Sequence, residues 1–260
     1  MKIHATLPVL LPALLISSAA PAWDCEHRRE IEKTLDVSGS RALDVIAAAG
    51  DLEIRGREGL GEVRVDATVC ASEGEWADET DVEVEAGDVA TVAVRLPGRE
   101  NGSSWFGNDY LTVDLSLEVP AGLALAVKDS SGDIVITGTG SVSVRDSSGD
   151  IELERIAGDV LLADSSGDIE LRGVSGRVEV EQDSSGDIEG RDIGGGVLVA
   201  RDSSGDIRFR DVRGDLIVER DSSGDIVASG VSGDFRVLRD GSGSIRHDGV
   251  EGEVQIPEKD

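Results

Sequence analysis

The residues best placed to do chemistry are carboxylates in a fixed setting. The hexapeptide Asp-Ser-Ser-Gly-Asp-Ile begins at Asp129, Asp146, Asp164, Asp183, Asp202 and Asp221, and a worn copy, Asp-Gly-Ser-Gly-Ser-Ile, begins at Asp240. If equivalent aspartates stack about 4.8 Å apart, each neighbouring pair repels by about 0.9 kcal/mol even in bulk water. Two arrangements relieve such a column. Calcium takes several carboxylate and carbonyl oxygens and is bound by other Asp/Gly-rich β-rolls, which makes Asp146, Asp164, Asp183, Asp202 and Asp221 its candidate ligands. Hydrogen bonds from serine and backbone groups in the turns serve without any metal. The nine-residue Gly-Gly-x-Gly-x-Asp signature of the calcium rolls is absent from the sequence, so calcium is the one cofactor the pattern allows and none is required.

Carboxylate pairs also cleave glycosidic bonds, and two or three would suffice for a polysaccharide-cleaving solenoid. An active site is a local departure from a repeat, however, and the departures here are conservative. There is no Gly-x-Ser-x-Gly elbow, no metal-type histidine spacing and no phosphate-binding loop. No catalytic residue is assigned, and the expectation is a protein that is not an enzyme. Aromatic residues give a different kind of candidate. Trp76 and the loop 101–110, which carries Trp105, Phe106 and Tyr110, all lie outside the regular repeats. Such a loop on a rigid scaffold suits a sugar or protein partner; the same rings also suit a plug for the end of the scaffold.

The repeats themselves must hold these groups. Their spacings are 17, 18 and then four of 19 residues, a periodicity that signals units too small to bury an apolar face alone. Within one unit Ile151 and Leu153 alternate with Asp150, Glu152 and Glu154, while Val160 and Leu162 share one parity. Each unit therefore predicts two short strands and two turns. Gly132, Gly149, Gly167, Gly186, Gly205 and Gly224 mark one turn, where Asp, Ser and Gly tolerate tight backbone conformations. The expected fold is all-β, a β-solenoid (β-helix) with coils of about 19 residues, seven of which make a rod of about 34 Å. A valine or leucine precedes the repeat aspartate by two positions at Val127, Val144 and Leu162 but by three at Val180, Val199, Val218 and Val237. Alternation thus leaves open whether those aspartates face in or out.

Toward the N-terminus, residues 1–22 have one lysine, a short apolar run and a small-residue ending, the pattern of a secretory signal cut after Ala22. The run is too short for a membrane anchor. Residues 23–128 read as an irregular β cap with degenerate first coils, such as Ala49-Gly50-Asp51-Leu52, and 129–260 as the regular repeats of the same continuous domain. The charged, Pro-containing stretch 255–260 is expected to finish the far end. Cys25 and Cys70 are the two cysteines; in an oxidising compartment they are expected to form a disulfide. Loss of the signal leaves a net charge of −29, from 24 basic and 53 acidic residues. That excess excludes nucleic acid and anionic membrane as partners and keeps a repetitive β-protein soluble.

The succession Gly-Asp-Ile-x-Leu, Gly-Asp-Val and Ser-Ser-Gly-Asp-Ile, preceded by the Val-Pro-Ala-Gly step at 119–122, resembles the bacterial putative-adhesin domain family of unknown function across residues 31–256. The resemblance implies an exported or envelope-attached β-solenoid and brings no catalytic or ligand residues with it. It differs from members that carry membrane helices after the signal. The expected function is an adhesin-like binding surface of the cell envelope, periplasmic or extracellular, with an envelope protein or a surface glycan as partner. A periplasmic structural or envelope-stress-associated protein is the competing expectation, followed by a carbohydrate-active enzyme. The oligomeric state is left open.

Overall fold

The computed structural model describes residues 25–98 and 109–258. The secretory signal at 1–22 and the loop residues Trp105 and Phe106 lie outside the described residues. The rest forms two eleven-stranded sheets that face each other along a solenoid. The chain opens with β1 (His27–Asp36), β2 (Ala42–Ile46), β3 (Leu52–Arg57) and β4 (Glu62–Ala71). A one-turn helix α1 (Gly74–Glu79) follows, then β5 (Asp81–Glu85), β6 (Val89–Arg95), β7 (Leu111–Pro120), β8 (Ala124–Lys128) and β9 (Ile134–Thr137). From β8 onward the chain alternates between the sheets. One strand of each coil joins the sheet of β8, the next joins the sheet of β9, and every pairing between coils is parallel.

The register explains why the repeat must be so regular. In the β9 sheet Ile134, Ile151, Ile169, Ile188, Ile207 and Ile226 stack one on another, and all are buried. In the β8 sheet Leu125, Val142, Val160, Val178, Val197 and Leu216 do the same. Each apolar side chain thus covers its equivalent in the coil below, and branched residues fill the narrow space between the sheets. One coil shows how volume is conserved. Phe209 pairs with Gly190, and a Cβ built on Gly190 would lie 2.3 Å from the Phe209 ring. The large residue occupies the room its neighbour gives up.

The step from 18 to 19 residues is absorbed as a bulge. Leu162 pairs with Val180 but Ala163 pairs with Gln182, so Glu181 is the extra residue and the aspartates that follow keep their place. At the other turn the chain takes a left-handed residue in each coil. Gly138, Gly173, Gly230 and Gly249 supply it, and Arg155, Asp192 and Asp211 adopt it with φ of 53°, 56° and 57°.

The N-terminal region is a cap built on the same two sheets. The strands β1, β4 and β7 extend the β9 sheet through two antiparallel pairings, and β5 and β6 extend the β8 sheet. Arg29 donates to the carbonyls of Ala77, Asp78 and Thr80 and so holds the end of α1, while Lys33 pairs with Asp81 across β1 and β5. The helix is an element that alternation did not foreshadow. The expected disulfide joins Cys25 to Cys70 with 5.6 Å between Cα atoms, tying the first residues to β4. At the opposite end the chain closes on a short strand. Val254–Gln255 pairs with the preceding coil at Phe235 and Arg236. Val254 is 36% exposed where Phe235, one coil earlier, is 0%.

Candidate functional site

The Asp-Ser-Ser-Gly-Asp turns are tied from coil to coil by backbone N–H groups, serine hydroxyls and the second aspartate. The glycines sit at φ of 120° to 143° from Gly132 to Gly224, a conformation that L side chains avoid. A Cβ on Gly205 would meet the carbonyl oxygen of Gly186 at 1.7 Å. The second serine donates its hydroxyl to a serine carbonyl of the coil below, as Ser204 does to Ser184 and Ser223 to Ser203. The second aspartate accepts the backbone N–H of its successor one coil on. This outer chain runs through Asp51, Asp133, Asp150, Asp168, Asp187, Asp206 and Asp225 without a break. Hydrogen bonds to the charged form favour ionisation. The N–H of Asp206, then Arg208, holds the Asp187 carboxyl below the usual range, and Ser244, then Arg246, pulls Asp225 down to about 2.

The first aspartate of each turn points the other way. Asp129, Asp146, Asp164, Asp183, Asp202 and Asp221 are buried, with 0–8% exposure. The carboxylate oxygens of Asp129, Asp146, Asp164 and Asp202 are closed off without a hydrogen-bond partner, as is one oxygen each of Asp183 and Asp221. Burial raises Asp129 and Asp202 to about 7 and Asp146, Asp183 and Asp221 to about 6. Neighbouring aspartates add to the rise, and the nearby N–H groups of the following serines, which do not reach hydrogen-bond geometry at Asp129 or Asp202, offset part of it. The aspartates singled out for calcium therefore form one inward column. Among the described residues no group of three or more His, Cys, Asp or Glu is placed to hold a metal ion.

The two outer faces of the solenoid differ in kind. Over the β9 sheet run charged side chains. Arg172 bridges Glu152, Glu154 and Glu170, and Arg208 bridges Asp187, Glu189 and Asp206. Over the β8 sheet the stacked outward positions are Ala126, Ser143, Leu161, Glu179, Leu198 and Ile217. Ser143, Leu161, Glu179, Leu198 and Ile217 floor an open groove of about 830 Å³, with Asp159, Arg177 and Asp215 along one side. Sequence reading missed this groove because Val-Leu-Val and Leu-Ile-Val look like wholly buried runs. The available signal was the middle position of each such triplet, which alternation turns outward.

Of the aromatic candidates, Tyr110 is half-buried; its hydroxyl accepts the N–H of Glu26 and its N–H donates to Ser72. It thus fastens the chain next to the disulfide. Trp76 packs against the core from α1.

Known proteins share this architecture. The family described as Toastrack DUF4097 matches residues 77–255. A putative adhesin from Bacteroides fragilis NCTC 9343 superposes with a TM-score of 0.50 at 10% identity, over 87% of this chain and 96% of that one. A putative cell adhesion protein from Clostridium sporogenes ATCC 15579 covers 88% of this chain and 96% of its own at 15% identity, with a TM-score of 0.33. No curated protein matches the sequence.

Proposed function

The chain belongs to the Toastrack DUF4097 family, and on that premise we propose that it is a non-catalytic, adhesin-like binding scaffold of the bacterial cell envelope whose working face is the groove over the β8 sheet. One observation carries this reading. The outward positions of that sheet are apolar at Leu161, Leu198 and Ile217, with Glu179 between the first two, and line one groove across several coils, whereas the opposite face is covered by ion pairs. Half-buried apolar side chains turned outward along one groove suit association with an apolar partner segment. The floor has no aromatic platform and few hydrogen-bond donors, which fits an apolar segment of an envelope protein better than a glycan.

Other features agree with an exported scaffold. The Cys25–Cys70 disulfide belongs to an oxidising compartment, and the solved neighbour with the same fold is named an adhesin candidate. Among the described residues no helix is long and apolar enough to cross a membrane. The ladders repeat one environment along the corner, leaving no carboxylate set apart for general acid or base work.

Replacing Leu198 and Ile217 together by glutamate tests the reading. Crosslinking the native protein in an envelope preparation should capture an envelope protein, and the double variant should lose that adduct while keeping its melting temperature within a few degrees. Undiminished capture by the double variant, together with loss on Trp105→Ala, would move the site to the aromatic loop.

A further inference from the structure

We propose that Asp129, Asp146, Asp164, Asp183, Asp202 and Asp221 form a proton-sharing column, in which neighbouring side chains stand as carboxylic acid and carboxylate, so that the solenoid takes up protons when it folds and is most stable in mildly acidic surroundings.

The geometry leaves little else. Each aspartate N–H donates to the carbonyl before its successor, from Asp129 to Arg145 and onward through Asp202 to Arg220. The side chains are therefore in register at the coil repeat, about 4.8 Å. Six like charges at that spacing, shut off from water and with most oxygens unpartnered, cannot all be ionised without a large desolvation cost. Pairs of carboxyls that share a site hold on to a proton. Here a proton from solvent binds one carboxylate, and its O–H donates to the carboxylate of the next coil. The oxygens left without a protein partner are those such a bond would use.

No cation stands ready to do this work instead. The titratable groups that bear on the column are further acids: Asp51 on Asp129, Asp150 on Asp164 and Asp168 on Asp183. Basic residues do precede the column, at Lys128, Arg145, Arg201 and Arg220, but their side chains are exposed on the outer side of the strands. The column begins where Ala47 fills the equivalent place in the first coil, its N–H bonded to Lys128 as that of Asp129 is to Arg145. It ends at the half-buried Asp240.

The sign of the linkage follows. A carboxyl whose folded pKa is raised contributes stability that is fully present below the unfolded value of 3.8 and is lost as pH rises through the folded values near 6 and 7. Potentiometric titration of the folded protein against the same protein in denaturant tests this on the native chain. At pH 6 folding should take up roughly three protons, and melting should occur at a higher temperature at pH 5 than at pH 8. The double variant Asp183→Asn and Asp202→Asn should bind about one proton fewer and show a flatter pH profile. Equal proton binding by the folded and unfolded chains at pH 6 would overturn the proposal, whether or not the variant folds. So would a saturable rise in melting temperature with calcium at pH 8 that is lost in the Asn variant, since the column would then be a metal site.

Discussion

Two carboxylate columns run side by side along one corner of the solenoid, four residues apart in every turn, and their electrostatics are opposite. The inner one, Asp129 to Asp221, is buried without adequate donors and holds protons. The outer one, Asp133 to Asp225, meets a backbone N–H at each step. Residue type is the same in both, so the difference teaches that surroundings alone decide whether an aspartate binds a proton or a hydrogen-bond donor. The glycine between them is what sends the two side chains to opposite sides. Its left-handed φ reverses the chain within a single turn.

That comparison can be broken most forcefully at the glycine. Gly205→Ala places a Cβ 1.7 Å from the Gly186 carbonyl at a φ of +132°, and should lower stability by about 3 kcal/mol or more in a denaturant titration. A loss no larger than that of an ordinary surface change would mean that the turn can open without disturbing either column.

A smaller effect separates the columns themselves. Asp206→Ala removes the acceptor for the Asp225 N–H and a partner of Arg208, and should cost about 1 kcal/mol at pH 7. The shape-preserving Asp202→Asn removes a charge that burial disfavours, so it should cost nothing at pH 8 and raise the melting temperature there. Similar losses from both changes would erase the distinction.

The smallest effect lies at the acid end of the pH scale. Groups held low, Asp187 and Asp225, contribute stability that is present above the unfolded pKa of 3.8 and is lost as pH falls below it, through about 2 for Asp225. The inner column has the reverse dependence. Together they place the maximum of melting temperature between about pH 4 and 6, and Asp225→Ala should flatten only the acid limb. An acid limb unchanged by that substitution would show that the outer bonds form equally well with a neutral carboxyl.

Much of the architecture was legible because a solenoid repeats one local decision. Ile-x-Leu and Val-x-Val fix two strands per coil, and Asp-Ser-Ser-Gly-Asp fixes the turn between them. The cysteine pair was legible because the sequence holds two cysteines and an oxidising compartment was the expectation. The cap was legible only in part. Its β character was expected across 23–128, but α1 is too short to show a period, and antiparallel partners such as His27 and Ala71 lie far apart in sequence. The groove was hidden because Leu161, Leu198 and Ile217 are apolar residues flanked by apolar residues, and burial distinguishes them only once the strand face is known. For the aromatic loop, Tyr110 proved to be an anchor of the N-terminal segment.

By itself the sequence determined the coil length, the turn chemistry, the acidity and the absence of any motif that marks catalysis, all of which follow from residue type and spacing. The tertiary structure alone decided which way the repeat aspartates face. A one-residue bulge at Glu181, after Val180, changes the count between valine and aspartate without moving the aspartate from the interior, and parity along a chain carries no information across a bulge. It also decided that one outer face is apolar and the other ion-paired, because that depends on which residues stack from coil to coil, a property of register between strands rather than of any one strand.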